Sequence, residues 1–256
     1  MTGPPPQDLR AFYERSYERG SGVAPLIGEH DFMYGQVAGE IGRYLRTGVS
    51  ALDLGCNDGA LSLYMAGRGC RVLGVDLAEN AVLTARAGAE RHGVIGAEFR
   101  QIDFVRDWTA PAAFDLVLCS HVIEHVPDDE AFLKKIAFSL KPGGALVLFT
   151  PTVHSILYRW HGLRGKPFPF DEEVGHLRRY EKAGLSALAS RAGFAVECVT
   201  YLDSPLRELT IIPKPLRKLQ VILSLPGIRS LFNGLDRLLA RVLCPATICI
   251  HATRRP

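Results

Sequence analysis

The sequence predicts an α/β protein built on a doubly wound, mostly parallel, seven-stranded sheet. Two observations predict this fold class: apolar strand-like runs alternate with helical patterns over residues 50–150, and a glycine-bearing turn joins the first run to a helix. Alternation of this kind is typical of parallel sheets whose connecting helices cover both faces. Ligands of such sheets bind at the carboxyl ends of the strands. We therefore expect the residues that follow each strand to carry the function.

Each element is assigned from its own pattern. Apolar, β-prone runs predict strands, and apolar residues at three- and four-residue spacings predict helices. The predicted strands are 50–54, 71–76, 98–102, 116–120, 145–150, 195–201 and 247–253. Helices are predicted at 61–67, 81–92 and 128–140, and two more within 9–20 and 33–48. The resulting organisation is a tail with lid helices over 1–48 and one domain over 49–256.

Composition narrows the class of protein. The 256 residues carry a formal net charge of +3, which is too mild to indicate a nucleic-acid partner. No stretch approaches 18 uninterrupted apolar residues, and the first residues lack an apolar signal-peptide core. The six cysteines include no Cys-x-x-Cys pair, which favours buried free thiols in a reducing compartment. We expect a cytoplasmic protein, either soluble or peripheral at a membrane.

The segment LDLGCNDG, residues 52–59, follows the first strand and opens a helix. A glycine turn there exposes backbone N–H groups and lets a ligand approach the main chain. Asp76 ends the second strand and suits two hydrogen bonds to a ribose diol. The dinucleotide fingerprint Gly-x-Gly-x-x-Gly is absent, and Asp53 would repel a phosphate. The turn favours a nucleoside ligand with an amino group and no phosphates, although each acid alone is also compatible with a helix N-cap.

The segment from about 49 to 150 resembles the class I S-adenosylmethionine-dependent methyltransferases. LDLGCNDG is similar to their first motif and VLGVDLAENAV to their second, while QIDF resembles the pair that flanks the adenine. FDLVLCSHVIEHVPD and LKPGGALVLFTP resemble their fourth strand and the turn into the fifth. Asn57 stands where the family usually has glycine, but asparagine tolerates a positive φ. The resemblance implies S-adenosylmethionine as the cofactor.

The resemblance also implies a role for each matched position. The first turn would hold the methionine moiety, Asp76 would bind the ribose hydroxyls, and Leu77 would pack on the adenine. Asp103 and Phe104 would flank the adenine. The implied cofactor-binding set is Asp53, Gly55, Asn57, Gly59, Asp76, Leu77, Asp103, Phe104 and Ser120.

Methyl transfer to a hydroxyl needs a positioned acceptor and a base. A helical turn over 121–125 would place His121, Glu124 and His125 on one face. These residues could form a proton relay, or Glu124 and His125 could hold a divalent metal, or they could simply anchor the loop. The Glu-His-Val run is similar to that of the ubiquinone-pathway O-methyltransferases.

The segment GHLRRYEKAGLSALASRAGF, residues 175–194, resembles the substrate side of the same small-molecule branch. Its His-x-Arg-x-Tyr form is supplied by His176, Arg178 and Tyr180. His176 is the first candidate for the base, and Arg178 or Arg179 would bind an acceptor carboxylate or phosphate. The alternative is a capping histidine followed by surface arginines.

The connection that precedes this segment, residues 151–174, is long and without regular pattern, which is typical of functional or mobile loops. We expect residues 151–180 to form the substrate loop. Its Trp160, Phe168 and Phe170 would wall an apolar acceptor pocket or form a small satellite core. The N-terminal aromatic residues at positions 12, 13 and 17 are expected to cover the cofactor.

An insertion, residues 204–244, precedes the last strand. Its central part, 211–243, carries six basic residues and one acidic residue, a net charge of +5 against +3 for the whole chain. Apolar residues at helical spacings, broken at Pro226-Gly227, predict basic amphipathic helices. Such helices can contact an anionic membrane surface. A cap on the substrate pocket, a lid over a lipidic acceptor and a homodimer interface are the alternatives.

These observations predict a methyltransferase that O-methylates a small, lipid-linked or natural-product acceptor with a histidine base. N-methylation of a small amine or amino sugar is the alternative. No Asn/Asp-Pro-Pro-Tyr/Phe motif follows the fourth strand, which argues against methylation of nucleobase amines. Two non-catalytic hypotheses also remain: an S-adenosylmethionine-binding partner protein and a membrane-surface adaptor.

Overall fold

The computed structural model describes Glu14, residues 26–29 and residues 31–256 of the chain. Apart from Glu14, the helix predicted within 9–20 lies outside the described residues, as do the aromatic residues at 12, 13 and 17. Seven strands are found: β1 (Ser50–Leu54), β2 (Arg71–Asp76), β3 (Ala97–Gln101), β4 (Phe114–Ser120), β5 (Leu140–Pro151), β6 (Phe194–Leu202) and β7 (Thr247–Arg254).

The seven strands form one sheet in the order β3-β2-β1-β4-β5-β7-β6. Neighbouring strands from β1 to β5 are parallel, whereas β7 runs antiparallel to both β5 and β6. The predicted doubly wound, mostly parallel sheet is confirmed. The strand order reverses between β1 and β4, and this switch point opens a crevice at the carboxyl ends of the strands.

Ten α-helices occur in the described part of the chain. They are α1 (Gly35–Ile41), α2 (Ala60–Ala66), α3 (Glu79–His92), α4 (Asp129–Ser139), α5 (Ile156–Leu163), α6 (Pro169–Val174), α7 (Lys182–Arg191), α8 (Pro205–Ile211), α9 (Leu219–Leu223) and α10 (Pro226–Ala240). Short 3-10 turns occur at Gly42–Tyr44, Ile123–His125 and Lys214–Lys218.

Both faces of the sheet are buried, as successive residues of β4 show. Val117 and Cys119 pack into one apolar cluster together with α4 and α7 side chains. Leu116 and Leu118 pack into the opposite cluster, which includes residues of α1 and α2. Strands buried on both sides read as continuous apolar runs, which explains why the sequence predicts them well.

The prediction of an unpatterned loop over 151–174 was wrong, because this segment contains α5 and α6. Ser155 caps α5 by accepting a hydrogen bond from the backbone N–H of Tyr158 at 3.1 Å. Pro169 opens α6, where its fixed φ suits the first helical turn. Both start signals are present in the sequence, but the helices they begin are too short to show a clear apolar period.

The insertion after β6 is helical, as the sequence predicts, and consists of α8, a 3-10 turn, α9 and α10. α10 begins at Pro226, where the sequence analysis places a break between helices. Among the residues that the structure describes, no helix combines the length and apolar character needed to cross a lipid bilayer.

Candidate active site

The turn that follows β1 has the conformation expected of a ligand cradle. It passes through Gly55, Asn57 and Gly59 with φ values of +69°, +53° and +85°. A Cβ atom at Gly55 would lie 2.5 Å from Cγ2 of Val122, so glycine is required there. Asn57 adopts the left-handed conformation that we expect asparagine to tolerate, and its Oδ1 accepts the N–H of Asp58 at 2.6 Å.

Two carboxylates support this turn. Asp76, at the end of β2, accepts the N–H groups of Asn57 at 3.0 Å and Ala78 at 2.9 Å. Asp53 is 2% exposed and accepts the Ser62 hydroxyl at 2.6 Å. Burial raises the pKa of Asp53 to about 7, because the hydrogen bond from Ser62 offsets the desolvation only in part. A nearby cation would favour the ionised form of this carboxyl.

The residues that follow β3 are more enclosed than a ligand-binding role suggests. Asp103 Oδ1 accepts the N–H groups of Val105 and Arg106, both at 3.0 Å, and so caps its own turn. Phe104 is buried and packs against two core aromatic rings at centroid distances of 5.3 and 5.6 Å. Leu77 and Ser120, at the ends of β2 and β4, are half-buried. Contact of these four residues with adenine or ribose stays a prediction.

A buried carboxylate, Glu124, lies at the centre of the second group of predicted residues. Its Oε2 accepts the Thr150 hydroxyl at 3.0 Å, and its Oε1 lies 3.1 Å from His121 Nδ1 and 3.8 Å from His176 Nε2. Burial alone would raise the pKa of Glu124, but the hydrogen bond to His121 and the charges of the neighbouring imidazoles lower it to about 2. Glu124 is therefore ionised at neutral pH.

His121 is the member of this group with an accessible side chain. Its φ is +56°, a conformation that non-glycine residues seldom adopt. Its side chain is 43% exposed while Glu124 engages Nδ1, so Nε2 is the ring nitrogen available to a ligand. Desolvation acts to lower the pKa of His121, but the bond and charge of Glu124 outweigh it and raise the pKa. A histidine oriented by a carboxylate in this way has the geometry of a general base.

His176, the first candidate for the base, is enclosed instead. It is 8% exposed, and its Nδ1 lies 2.8 Å from Oδ1 of Asp171. Asp171 accepts hydrogen bonds from Arg179 at 2.8 Å to Oδ2 and at 2.6 and 3.1 Å to Oδ1. His125 bonds the carbonyl of Gly175 through Nδ1 at 3.0 Å, and its ring centroid lies 4.9 Å from that of His176. His176 thus belongs to a buried ionic network.

The same network contains a set of possible metal ligands. Ligand atoms of Glu124, His125 and His176 all lie within 4.8 Å of one another. One carboxylate oxygen with two imidazole nitrogens is a donor set that zinc accepts. The pair of ligands proposed from the sequence, Glu124 and His125, is therefore extended by His176.

Two of the predicted substrate residues bind another part of the protein. Arg178 and Tyr180 both contact Oδ2 of Asp129 at 2.9 Å, and Arg178 also donates to the carbonyl of Pro127 at 2.7 Å. Asp129 is the first residue of α4, so these contacts anchor the segment to that helix. An acceptor contact through Arg178 or Tyr180 stays a prediction.

Phe168 and Phe170 of the predicted aromatic wall line an open pocket of about 240 Å³ between the α5–α6 segment and the start of the insertion, whereas Trp160 lies outside its lining. Phe170 lines it and lies 5.9 Å from the His176 ring, so the pocket adjoins the histidine network. Trp160 is 46% exposed, with the Arg164 guanidinium 3.7 Å from its ring centroid. The pocket is lined by Leu157, His161, Phe168, Pro169, Phe170, Glu173, Ile212 and Pro213.

Comparison with protein families identifies the family of this chain. A family model described as a methyltransferase domain matches residues 31–199, which is more than half of the chain. The chain belongs to this methyltransferase family. It is 44% identical over 110 residues to the ubiquinone biosynthesis O-methyltransferase of Idiomarina loihiensis, a match that covers 40% of this chain and 42% of that protein. The corresponding enzyme of Ruegeria pomeroyi is 39% identical over 131 residues, covering 47% and 50%. The matches thus span half or less of these curated relatives.

Solved structures share the fold of this methyltransferase across most of its length. The [4+2]-cyclase SpnF superposes with a TM-score of 0.71 at 17% identity, covering 100% of this chain and 98% of that one. Phosphoethanolamine N-methyltransferase 2 of Haemonchus contortus, solved with S-adenosyl-L-methionine, has a TM-score of 0.63 at 17% identity, covering 96% and 56%. The predicted fold and family, whose cofactor is S-adenosylmethionine, are confirmed.

Asp203 is a residue of the methyltransferase crevice that the sequence analysis missed. It follows β6, whose carboxyl end lies at the same edge as those of β1–β5, and its φ is +56°. Its side chain is 25% exposed, lies 3.4 Å from Arg207 Nε, and contributes to the raised pKa of His121. The signal was available, because an acid follows the predicted strand 195–201 by two positions.

Proposed function

We propose that this methyltransferase transfers the methyl group of S-adenosylmethionine to a hydroxyl oxygen of a small, apolar acceptor, with His121 as the general base. The observation that carries the proposal is the pair formed by ionised Glu124 and accessible His121. Nε2 of His121 accepts the hydroxyl proton while the acceptor oxygen bonds to the methyl carbon. Bound S-adenosylmethionine supplies that activated carbon, whose bond to sulfur breaks in the same step.

The turn after β1 fits the cofactor in shape and charge. Its left-handed residues Gly55, Asn57 and Gly59 bring main chain to the crevice edge. Asp53, whose pKa is about 7, gains a favourable partner when a cationic sulfonium or ammonium group binds nearby. Asp76 stands at the end of β2, where ribose-binding acids stand in nucleoside-binding sheets. We propose these residues, with the rest of the implied set, as the cofactor site.

The choice of oxygen as the methylated atom is supported by the relatives. Several are ubiquinone biosynthesis O-methyltransferases, 38–44% identical over the matched part. The names of these relatives describe those proteins alone. The proposed acceptor class therefore rests equally on the pocket, whose lining is largely apolar and aromatic. The division into a lid region over 1–48, a substrate segment over 151–180 and an insertion over 204–244 stays a prediction.

The proposal is tested by replacing His121 and His176 separately. We expect His121→Asn to lower kcat by roughly 10²–10⁴-fold while leaving the calorimetric affinity for S-adenosylmethionine unchanged. Methyl transfer is measured with labelled cofactor and a panel of phenols and aliphatic alcohols. His92→Asn, at the end of α3, serves as the matched control and should keep full activity. Full activity of His121→Asn, with a large loss in His176→Asn, would return the base to His176.

The same assays separate the alternatives. Transfer to small amines or amino sugars but to no hydroxyl would support N-methylation. Cofactor binding without transfer to any acceptor would support a non-catalytic partner protein. Activity lost with a chelator and restored by zinc would assign a metal to Glu124, His125 and His176, whereas the proposed base mechanism predicts chelator-insensitive transfer.

Residues 211–243 also contribute to the acceptor pocket. Ile212 and Pro213, at the start of this stretch, line the pocket.

A further inference from the structure

Helix α10 is amphipathic, but its apolar side faces outward. Its buried positions are Phe232, Asn233, Asp236 and Ala240, and two of these four are polar. A helix that serves only its own protein turns its apolar stripe to the core. The reversed orientation leaves a stripe of large apolar side chains in contact with solvent. The exposed fractions are 42% for Ile228, 76% for Leu231, 45% for Leu235 and 59% for Leu238.

A buried ion pair fixes this orientation. Asp236 is fully buried and accepts the N–H and hydroxyl of Ser204, at 2.9 and 2.6 Å, and Nε of Arg207 at 2.7 Å. Arg207 also donates to Oδ1 of Asn233 at 2.6 Å. Turning α10 to bury its leucines would break these bonds. Arg207, which is 2% exposed, would then be buried without its counter-charge. The apolar stripe therefore faces outward as a consequence of the network beneath it.

The stripe is part of a larger apolar patch, which we name the insertion face. It extends along α9 and past the end of α10, where Val221, Ile222, Leu225, Val242 and Leu243 are 49–75% exposed. Helix α5 borders it, because Arg159 contacts Cys244, the residue after Leu243, at 3.6 Å. α5 adds exposed Ile156, Trp160 and Leu163. Exposed apolar patches of this extent mark protein or membrane interaction sites.

Charge distinguishes between these two kinds of partner. Residues 211–243 carry a net charge of +5, and their one acid, Asp236, is buried against Arg207. Lys218, Arg237 and Arg241 of the same stretch are exposed. Two copies meeting through this face would bring like charges together, which opposes association. An anionic lipid surface complements both the charge and the apolar stripe.

We propose that the insertion face binds the surface of an anionic lipid bilayer, with its leucines in the interfacial layer and its arginines at the headgroups. Trp160, with Arg164 stacked on its ring, has the amphipathic character of residues enriched at that depth. Delivery of an apolar acceptor to the adjoining pocket rests on the proposed function, whereas lipid binding itself does not.

The test is co-sedimentation with vesicles of phosphatidylcholine alone or mixed equally with phosphatidylglycerol, without cofactor or acceptor. We expect binding to the mixed vesicles that is at least about 10-fold tighter and weakens with salt. The triple variant Leu231→Ser, Leu235→Ser, Leu238→Ser should bind at least about 10-fold more weakly. The triple variant Leu83→Ser, Ile95→Ser, Phe138→Ser removes three large apolar side chains elsewhere that are each at least 49% exposed, and should bind like the native protein.

Circular dichroism and thermal melting first establish that both variants are folded. Absence of vesicle binding by the native protein, or equal binding by the two variants, would overturn the proposal. So would a dimer in light scattering that only the leucine variant abolishes, since the face would then join two copies. Because the vesicle assay needs no methyl transfer, its failure is distinct from the failure of the proposed function.

Discussion

Arg207 offers a sharp test of what holds the helical insertion to the sheet. Its guanidinium donates to Asp236, to Asn233 and to the backbone carbonyl of Phe32. The rings of Phe32 and Phe232 flank it at 4.9 and 5.2 Å. One buried cation therefore connects α8, α10 and the segment that precedes α1. We predict that its loss destabilises the whole methyltransferase.

The magnitude follows from the contacts. Arg207→Met keeps most of the aliphatic stem but leaves Asp236 with hydrogen bonds from Ser204 and Gln36 and without a counter-charge. Removing one partner of a buried ion pair costs about 3–5 kcal/mol. In a protein of this size each kcal/mol lowers Tm by about 2–4 °C, so the expected fall is roughly 6–20 °C.

Thermal denaturation followed by circular dichroism measures this effect. The double variant Arg207→Met, Asp236→Leu should be more stable than Arg207→Met alone, because an apolar pair leaves no buried charge. Arg68→Met is the matched control: its ion pair with Glu29 is about half exposed on both sides and contributes at most about 1 kcal/mol. A Tm within about 2 °C of the native value for Arg207→Met would refute the reasoning.

Three further predictions concern the crevice. The pKa of Asp53 is raised in the fold to about 7, so its contribution to stability is full below its unfolded pKa of about 4 and is lost as pH rises through 7. Asp53→Asn should flatten that decline in the free energy of unfolding, measured by urea titrations across this range. Gly59→Ala places a Cβ 2.7 Å from Cβ of Ala85 at a φ of +85°, and should cost about 1–3 kcal/mol in chemical denaturation. Gly93→Ala, at a φ of +65° with open space around it, should cost less. Glu124→Gln removes the charge that raises the pKa of His121, so the acidic limb of the kcat/KM profile should move to lower pH; an unmoved limb would exclude His121 as the titrating base.

The sheet could be predicted from the sequence because its signals are local. β1 and β2 have the predicted limits, since each is a buried apolar run closed by a turn. α5 and α6 could not be separated from loop in the same way. They span eight and six residues, too few turns for an apolar period to stand out. Their stability comes from packing against residues distant in the chain, which no local pattern reports.

In the candidate site, too, only the contacts between residues close in sequence could be predicted. Glu124 and His121 could be paired from their spacing, because three residues suffice to bring them together in a turn. The sequence does not show which histidine is accessible, because His176 is enclosed by contacts with Asp171 and Arg179 that form only in the folded chain. Asp171 belongs to α6, the helix that the sequence analysis treated as loop. The enclosure of His176 is therefore a property of the fold, and it moves the proposed base to His121.

Helix α10 shows how a correct period can leave function undecided. Its apolar residues recur at helical spacing in the sequence, but a period defines two faces without saying which one is buried. A cap over the acceptor pocket would bury the leucines, whereas a membrane contact would leave them outside. The structure buries Asp236 against Arg207 and so turns Leu231 and Leu238 outward. Asp236, the lone acid in a basic stretch, was the available signal. A carboxylate that is paired with a buried cation lies on the side of the helix that packs against the protein.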